Sequence, residues 1–236
     1  MRNYITFGGQ DLRAYGLYIS GSGVYNAPER AYEEIEIPGR DGLLLGHEKR
    51  LGNVEITYPA FIYSNFKENI TALKTFLLSN IGYQVLEDTY YPDYFRRGCY
   101  YGGLEVEPTT RNNAGSFELT FNCKPQKYLK SGRVAVDVAS GGVITNPTEM
   151  TAKPLIRVYG TGTIAVNGTQ LTVIASRGYT DIDCELYDCY YLLENRNAYV
   201  TFDSDDMHFP ELSPGDNAVS YTGFSEVKIT PRWFRL

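Results

Sequence analysis

The chain has 236 residues, with 22 Lys and Arg against 28 Asp and Glu, a net charge of −6, and 43 % hydrophobic content. That length and apolar share support one large domain or two small ones, while the acidic balance excludes the basic stripe needed for a sequence-independent grip on nucleic acid. No apolar run approaches the roughly 20 residues of a membrane helix, and Met1 to Gly9 lacks the continuous apolar region of a signal peptide.

In chain order, residues 4–20 alternate around Gly8-Gly9, predicting two short strands and a turn. Ser20-Gly21-Ser22-Gly23 follows as a flexible link. Residues 31–38 predict a strand: Glu34 and Glu36 alternate with Ile35 and Ile37, so the two isoleucines share one face. Pro38-Gly39 and Asp41-Gly42 turn the chain, and Leu51 to Ile62 is expected to be the return partner. Between them, Pro38 to Arg50 forms a long hairpin tip or arm carrying Leu43-Leu44-Leu45 beside Glu48, Lys49 and Arg50. Exposed leucines there are a liability in a monomer and useful in an assembly.

Ser64 to Asn80 predicts the one clear helix, with Phe66, Ile70, Leu73 and Leu77 on one stripe, Ser64 as N-cap and Gly82 after its end. Further strands are expected at Tyr83–Leu86, Tyr100–Glu107 and Phe117–Phe121, with a loop at Tyr90–Tyr94. A boundary near Lys130-Ser131-Gly132 divides an α+β domain, 1–131, from an all-β domain, 132–236. Beyond it short strands repeat at 133–138, 155–159, 163–166, 170–174, 180–186, 198–202, 218–221 and 226–230. Asn167-Gly168 marks a tight hairpin, and the density of strands suggests a β-sandwich. The fold class is therefore mainly β. With Tyr at 21 and Gly at 23, the composition fits half-buried strands, turns and partner surfaces.

The candidate chemistry is sparse. Pro38, Gly39, Arg40, Leu43, Leu44 and Leu45 form the first candidate oligomer interface, weighed against an ordinary turn with local Arg40–Asp41 pairing. Tyr90, Tyr91, Tyr94, Arg96 and Arg97 form a second, either a subunit interface or a platform for sugars or bases. Asp203, Ser204, Asp205 and Asp206, with Asp216, offer oxygen ligands but lack the glycine and terminal glutamate of a calcium loop, so a solvated cluster is favoured and no metal is expected. His47 and His208 have no nucleophile pattern beside them. Glu33, Glu34 and Glu36 read as exposed strand charge rather than paired catalytic acids, and Gly160-Thr161-Gly162 falls between strands, without the helix of a phosphate cradle. Cys99, Cys123, Cys184 and Cys189 read as free thiols of a protein made in a cytoplasm, a Cys184–Cys189 bridge being the alternative. Trp233 is expected in the core. No enzyme and no cofactor follow from these residues.

Four stretches resemble the distal tail (Dit) proteins of long-tailed, non-contractile phages and related prophages. They are Ile35 to Gly42, Phe121-Asn122-Cys123-Lys124-Pro125-Gln126-Lys127-Tyr128-Leu129, Asn146-Pro147-Thr148 with Lys153 to Gly162, and Phe209 to Asn217 followed by Pro231-Arg232-Trp233. Their order covers nearly the whole chain. The resemblance implies a hexameric ring built from the N-terminal domain, with a galectin-like β-sandwich projecting outward. It further implies a virion location at the tail tip, a DNA exit channel through the ring, and docking of tail tube, tip or receptor-binding proteins. The reading of a different class is a carbohydrate-binding module or adhesin using the C-terminal sandwich; against it, the sole Trp lies almost at the C-terminus.

Overall fold

The computed structural model describes residues 2–21, 23–109, 113–203 and 208–236, without the side chains of 47–49. It divides into two compact units, one ending at Lys127 and the other running from Tyr128 to Arg235.

The first unit opens with β1 (Ile5–Phe7), β2 (Gln10–Asp11), a 3-10 turn (Leu12–Tyr15) and β3 (Leu17–Ile19). Gly8 and Gly9 make the first turn at φ 57° and 82°, a region open to glycine at little cost. Next come β4 (Arg30–Glu36), β5 (Leu43–Leu51), β6 (Val54–Ile62), α1 (Phe66–Ser79), β7 (Gln84–Asp88), β8 (Tyr94–Cys99), β9 (Val106–Thr109) and β10 (Ala114–Leu129). The sheet order is β2-β1-β7-β8-β10-β6-β3, with β9 also on β10. Its spine is the β6–β10 ladder, from Val54 opposite Cys123 to Ile62 opposite Gly115.

Alternation along β6 turns Val54, Ile56, Tyr58, Ala60 and Ile62 into the core. Helix α1 closes that face with Phe66, Ile70, Leu73 and Leu77, the stripe expected from its periodicity. Phe7 sits between the layers, 4.9 Å from Phe121 and 6.4 Å from Phe76 between ring centroids. The N-cap is Asn65, not Ser64, and no side chain caps the helix there; instead Asn69 Nδ2 donates to the Ser64 carbonyl at 3.0 Å.

The return partner of β4 is β5, and β6 belongs to the main sheet. The expected pairing of 31–38 with 51–62 is thus corrected. The regular alternation of β6 gave it the stronger strand signal, whereas Leu-Leu-Leu-Gly in β5 shows no period. Similarly, residues 100–105 are irregular, and of the strand expected at Tyr100–Glu107 only Val106 and Glu107 are extended, at the start of β9.

The second unit holds β11 (Val136–Asp137), β12 (Gly142–Asn146), β13 (Leu155–Val166), β14 (Thr169–Val173), β15 (Tyr179–Asp183), β16 (Asp188–Tyr191), β17 (Glu194–Asn195), β18 (Val200–Phe202), β19 (Gly215–Thr230) and β20 (Phe234–Arg235). A curled antiparallel sheet runs β11-β19-β13-β15-β16-β17, with β12 on β19, β14 on β13 and β18 on β14. It wraps a core that includes Ile156, Val158, Ile164, Val166, Leu171, Ile182, Ile229 and Trp233. Val166 pairs with Thr169 across the Asn167-Gly168 turn.

Gly160-Thr161-Gly162 lies inside β13 rather than between two strands, at a register shift against β19. A Cβ on Gly162 would stand 2.1 Å from the Thr222 carbonyl oxygen, so only glycine permits this approach. Strand β19 likewise joins the two strands expected at 218–221 and 226–230.

Candidate functional site

The arm is β4 and β5 with the turn between them. Arg40 N–H donates to the Ile37 carbonyl at 3.1 Å, and Gly39 and Gly42 take φ 82° and 80°, which places Pro38, Gly39 and Arg40 at the tip. At the base Arg30 pairs with Leu51, and Gly52 N–H donates to the Glu29 carbonyl at 2.8 Å. Leu43, Leu44 and Leu45 lie on β5 opposite Glu36, Ile35 and Glu34. Because side chains alternate across a strand, Leu43 and Leu45 share a face with Glu34 and Glu36, while Leu44 shares the other with Ile35.

Both faces are open. Leu43, Leu44 and Leu45 are 48 %, 45 % and 46 % exposed, and Ile35 and Ile37 are each 39 % exposed. Full burial of such a side chain is worth about 1.5–3 kcal/mol, so the arm leaves much of its apolar stabilisation unused. Among the described residues β4 and β5 form a two-stranded sheet of their own, which leaves a strand edge on either side. Glu34 and Glu36 lie exposed on one face of β4 and Ile35 on the other, as the alternation predicts, and β5 adds leucines to both faces.

The structure divides the second candidate patch. Asp88 Oδ1 accepts from the amides of Tyr90 and Tyr91 at 2.9 and 3.0 Å, and its Oδ2 accepts from Tyr58 Oη at 2.8 Å. Burial, with the Asp88 carboxylate adding to it, holds the Tyr58 phenol well above its usual range, so it stays a proton donor. Tyr90 stacks on Tyr58 with centroids 6.2 Å apart, and its hydroxyl reaches the Ser20 carbonyl, which anchors the loop.

Tyr91 and Tyr94 gather around Lys127, whose Nζ lies 3.3 and 4.7 Å from their ring centroids. Arg96 shares a shallow depression with them, opposite Leu86 in register. Arg97, the next residue on β8, is exposed and points to the other side of the sheet. The cation on the tyrosines is thus Lys127, far away in sequence. Only the closure of β10 beside β8 brings it there, and nothing local announced it.

In the second unit Arg157 donates from Nε and NH2 to both oxygens of the buried Asp181 carboxylate, each at 2.7 Å. The same guanidinium lies 4.1 Å over the Tyr179 ring, which also meets Tyr191 at 4.8 Å and Tyr159 at 5.9 Å. A sugar stacks on an open ring face, and here arginine covers one face of the central tyrosine. A matching pair joins Arg232 and Asp183, again with two bonds of 2.7 Å. Burial pushes the Asp183 carboxyl up, but the Arg232 guanidinium outweighs it and leaves the pKa below the usual carboxylate range.

Ser204, Asp205 and Asp206 lie outside the described residues; Asp216 Oδ1 accepts from Thr145 Oγ1 at 2.7 Å. Among the described residues no group of three metal-ligating side chains gathers. The side chain of His47 is likewise undescribed, and His208 precedes Phe209, which packs on the second core. The four cysteines are free. Burial pushes the Cys123 and Cys189 thiols up to about 12, so both stay protonated and weakly nucleophilic at neutral pH. No helix among the described residues is long and apolar enough to cross a membrane.

The chain has a Dit-like fold. In particular, the chain is similar to the Dit protein of phage SPP1, described as a paradigm of the hub adsorption apparatus in phages infecting Gram-positive bacteria. The likeness has a TM-score of 0.74 at 17 % identity and covers 97 % of this chain and 98 % of that one. Chains of the phage p2 baseplate in its activated conformation match with a TM-score of 0.54: one from the structure with Sr at 12 % identity, covering 96 % of this chain and 97 % of that one, and one from the structure with Ca at 13 %, covering 97 % and 98 %. No family model and no curated protein matches the sequence.

Proposed function

We propose that this chain is a structural protein of a phage tail, forming a hexameric ring at the distal end that joins the tail tube to the tip or baseplate. The observation that carries this reading is the end-to-end likeness to a hub protein, 97 % of this chain against 98 % of the SPP1 protein. The open arm supports self-association, because a cyclic ring needs one protruding surface and one receiving surface on every copy. The N-terminal unit makes the ring around a DNA exit channel. The C-terminal unit, a galectin-like sandwich, faces outward and docks tip or receptor-binding proteins. A net charge of −6 suits transient passage of DNA, since fixed Lys and Arg in a channel wall would hold its phosphates. The work is geometric, not catalytic, and needs no cofactor. The protein is made in the host bacterial cytoplasm and ends in the virion tail.

Light scattering at several concentrations and salt strengths tests this. The expected species has six times the 26.6 kDa chain mass and appears as a ring in negative stain. Replacing residues 31–50 by a two-residue turn is expected to leave a folded monomer. A full-length chain that stays monomeric at every concentration overturns self-assembly through the arm.

A further inference from the structure

The first unit carries a groove on the side of its sheet away from α1, with a cavity volume of about 910 Å³. Phe61 and Pro59 supply apolar surface, and Glu105, Glu107 and Glu118 bring three exposed carboxylates to it. Among the described residues no Lys or Arg lines it. An apolar floor with a rim of one charge is the anatomy of a protein contact awaiting the opposite charge.

The arm offers that complement on one face only. The face with Leu43 and Leu45 carries Glu34 and Glu36, which repel an acidic groove. The other presents Ile35 opposite Leu44, with Ile37 following at the tip; among the described side chains of the two strands its one carboxylate is Glu33, set back toward the base. Arg40 stands exposed at the turn beyond them. We infer that the groove receives the arm of a second copy of this chain, with Ile35, Ile37 and Leu44 against Pro59 and Phe61 and Arg40 among Glu105, Glu107 and Glu118. This inference rests on the proposed self-assembly and adds where on the neighbour the arm goes and which of its faces turns inward. The leucines of the opposite face, Leu43 and Leu45, are left for a different surface.

A photo-crosslinker tests the placement. Benzoyl-phenylalanine is put at Leu44 in one preparation and at Leu45 in another, and each is mixed with wild-type chain labelled with nitrogen-15. From position 44 the labelled partner peptides are expected to contain residues 59–61, 103–107 or 116–120; from position 45 they are not. Crosslinks from position 44 to labelled peptides elsewhere overturn the groove while leaving self-assembly standing. Absence of any crosslink to a labelled chain, with a monomer mass in solution, overturns the self-assembly beneath it.

Charge exchange gives a second readout on exposed residues that the fold does not need. The triple variant E105K/E107K/E118K is expected to raise the protein concentration needed for assembly at least about tenfold, as is Arg40→Glu alone. Combining R40E with the triple change restores most of the loss. An unchanged assembly concentration in the triple variant, or no recovery in the combination, overturns the pairing.

Discussion

The β4–β5 arm and the β13–β19 ladder are both antiparallel strand pairs that carry aliphatic side chains, and they are stabilised in opposite ways. Along β13, Ile156, Val158, Ile164 and Val166 are fully buried, facing a core that the same unit supplies. On the arm, Ile35 and Leu44 keep 39 % and 45 % of their surface in water. The ladder is complete within its own unit. The arm has strand geometry and apolar side chains that no layer among the described residues covers.

The comparison breaks most sharply at the second unit's buried charges. Arg232→Ala leaves the buried Asp183 carboxylate without its guanidinium and is expected to cost about 3–5 kcal/mol, read by urea unfolding through the fluorescence of Trp233, the sole tryptophan. Ile156→Ala opens a cavity in the same core and is expected to cost about 2–5 kcal/mol by that assay.

Acid sharpens the contrast further. The folded pKa of Asp183 is depressed below the usual unfolded value of about 3.9, so its stabilising contribution is present above that pH and is lost as pH falls through the folded value. The urea midpoint should hold steady from pH 7 to about 5 and fall below about pH 4, and Asp183→Asn should flatten that fall. In the first unit, Tyr58→Phe removes the hydroxyl bonded to Asp88 and is expected to cost about 1 kcal/mol by circular dichroism. At the other extreme, Leu44→Ala on the arm should change monomer stability by less than about 0.5 kcal/mol. A loss above 2 kcal/mol there would mean that the arm is part of its own domain's core, and the contrast would fail.

Periodicity decided how much of this was legible in the sequence. Helix α1 was readable because Phe66, Ile70, Leu73 and Leu77 repeat at the helical period and face a single layer. The arm's existence was readable from Pro38-Gly39 and Asp41-Gly42, but its second strand was not. Leu43 to Leu51 has no alternation, because three successive leucines and a glycine are followed by His47, Glu48, Lys49 and Arg50. Gly160 and Gly162 read as a break because glycine pairs punctuate turns far more often than they bend a continuous strand. Of the tyrosine patch, the opposite facing of Arg96 and Arg97 follows from strand alternation alone. The arrival of Lys127 depends on sheet order, which no local pattern encodes.

The three glutamates of β4 have a consequence for the time before any partner is found. A seven-residue strand with bare edges, facing a leucine-rich mate, is the kind of segment that stacks edge to edge with copies of itself. Glu33, Glu34 and Glu36 place like charges in register in any such stack, where they act as gatekeepers against fibrils. Neutralising them should therefore shorten the shelf life of the free chain well before it alters the folded domain.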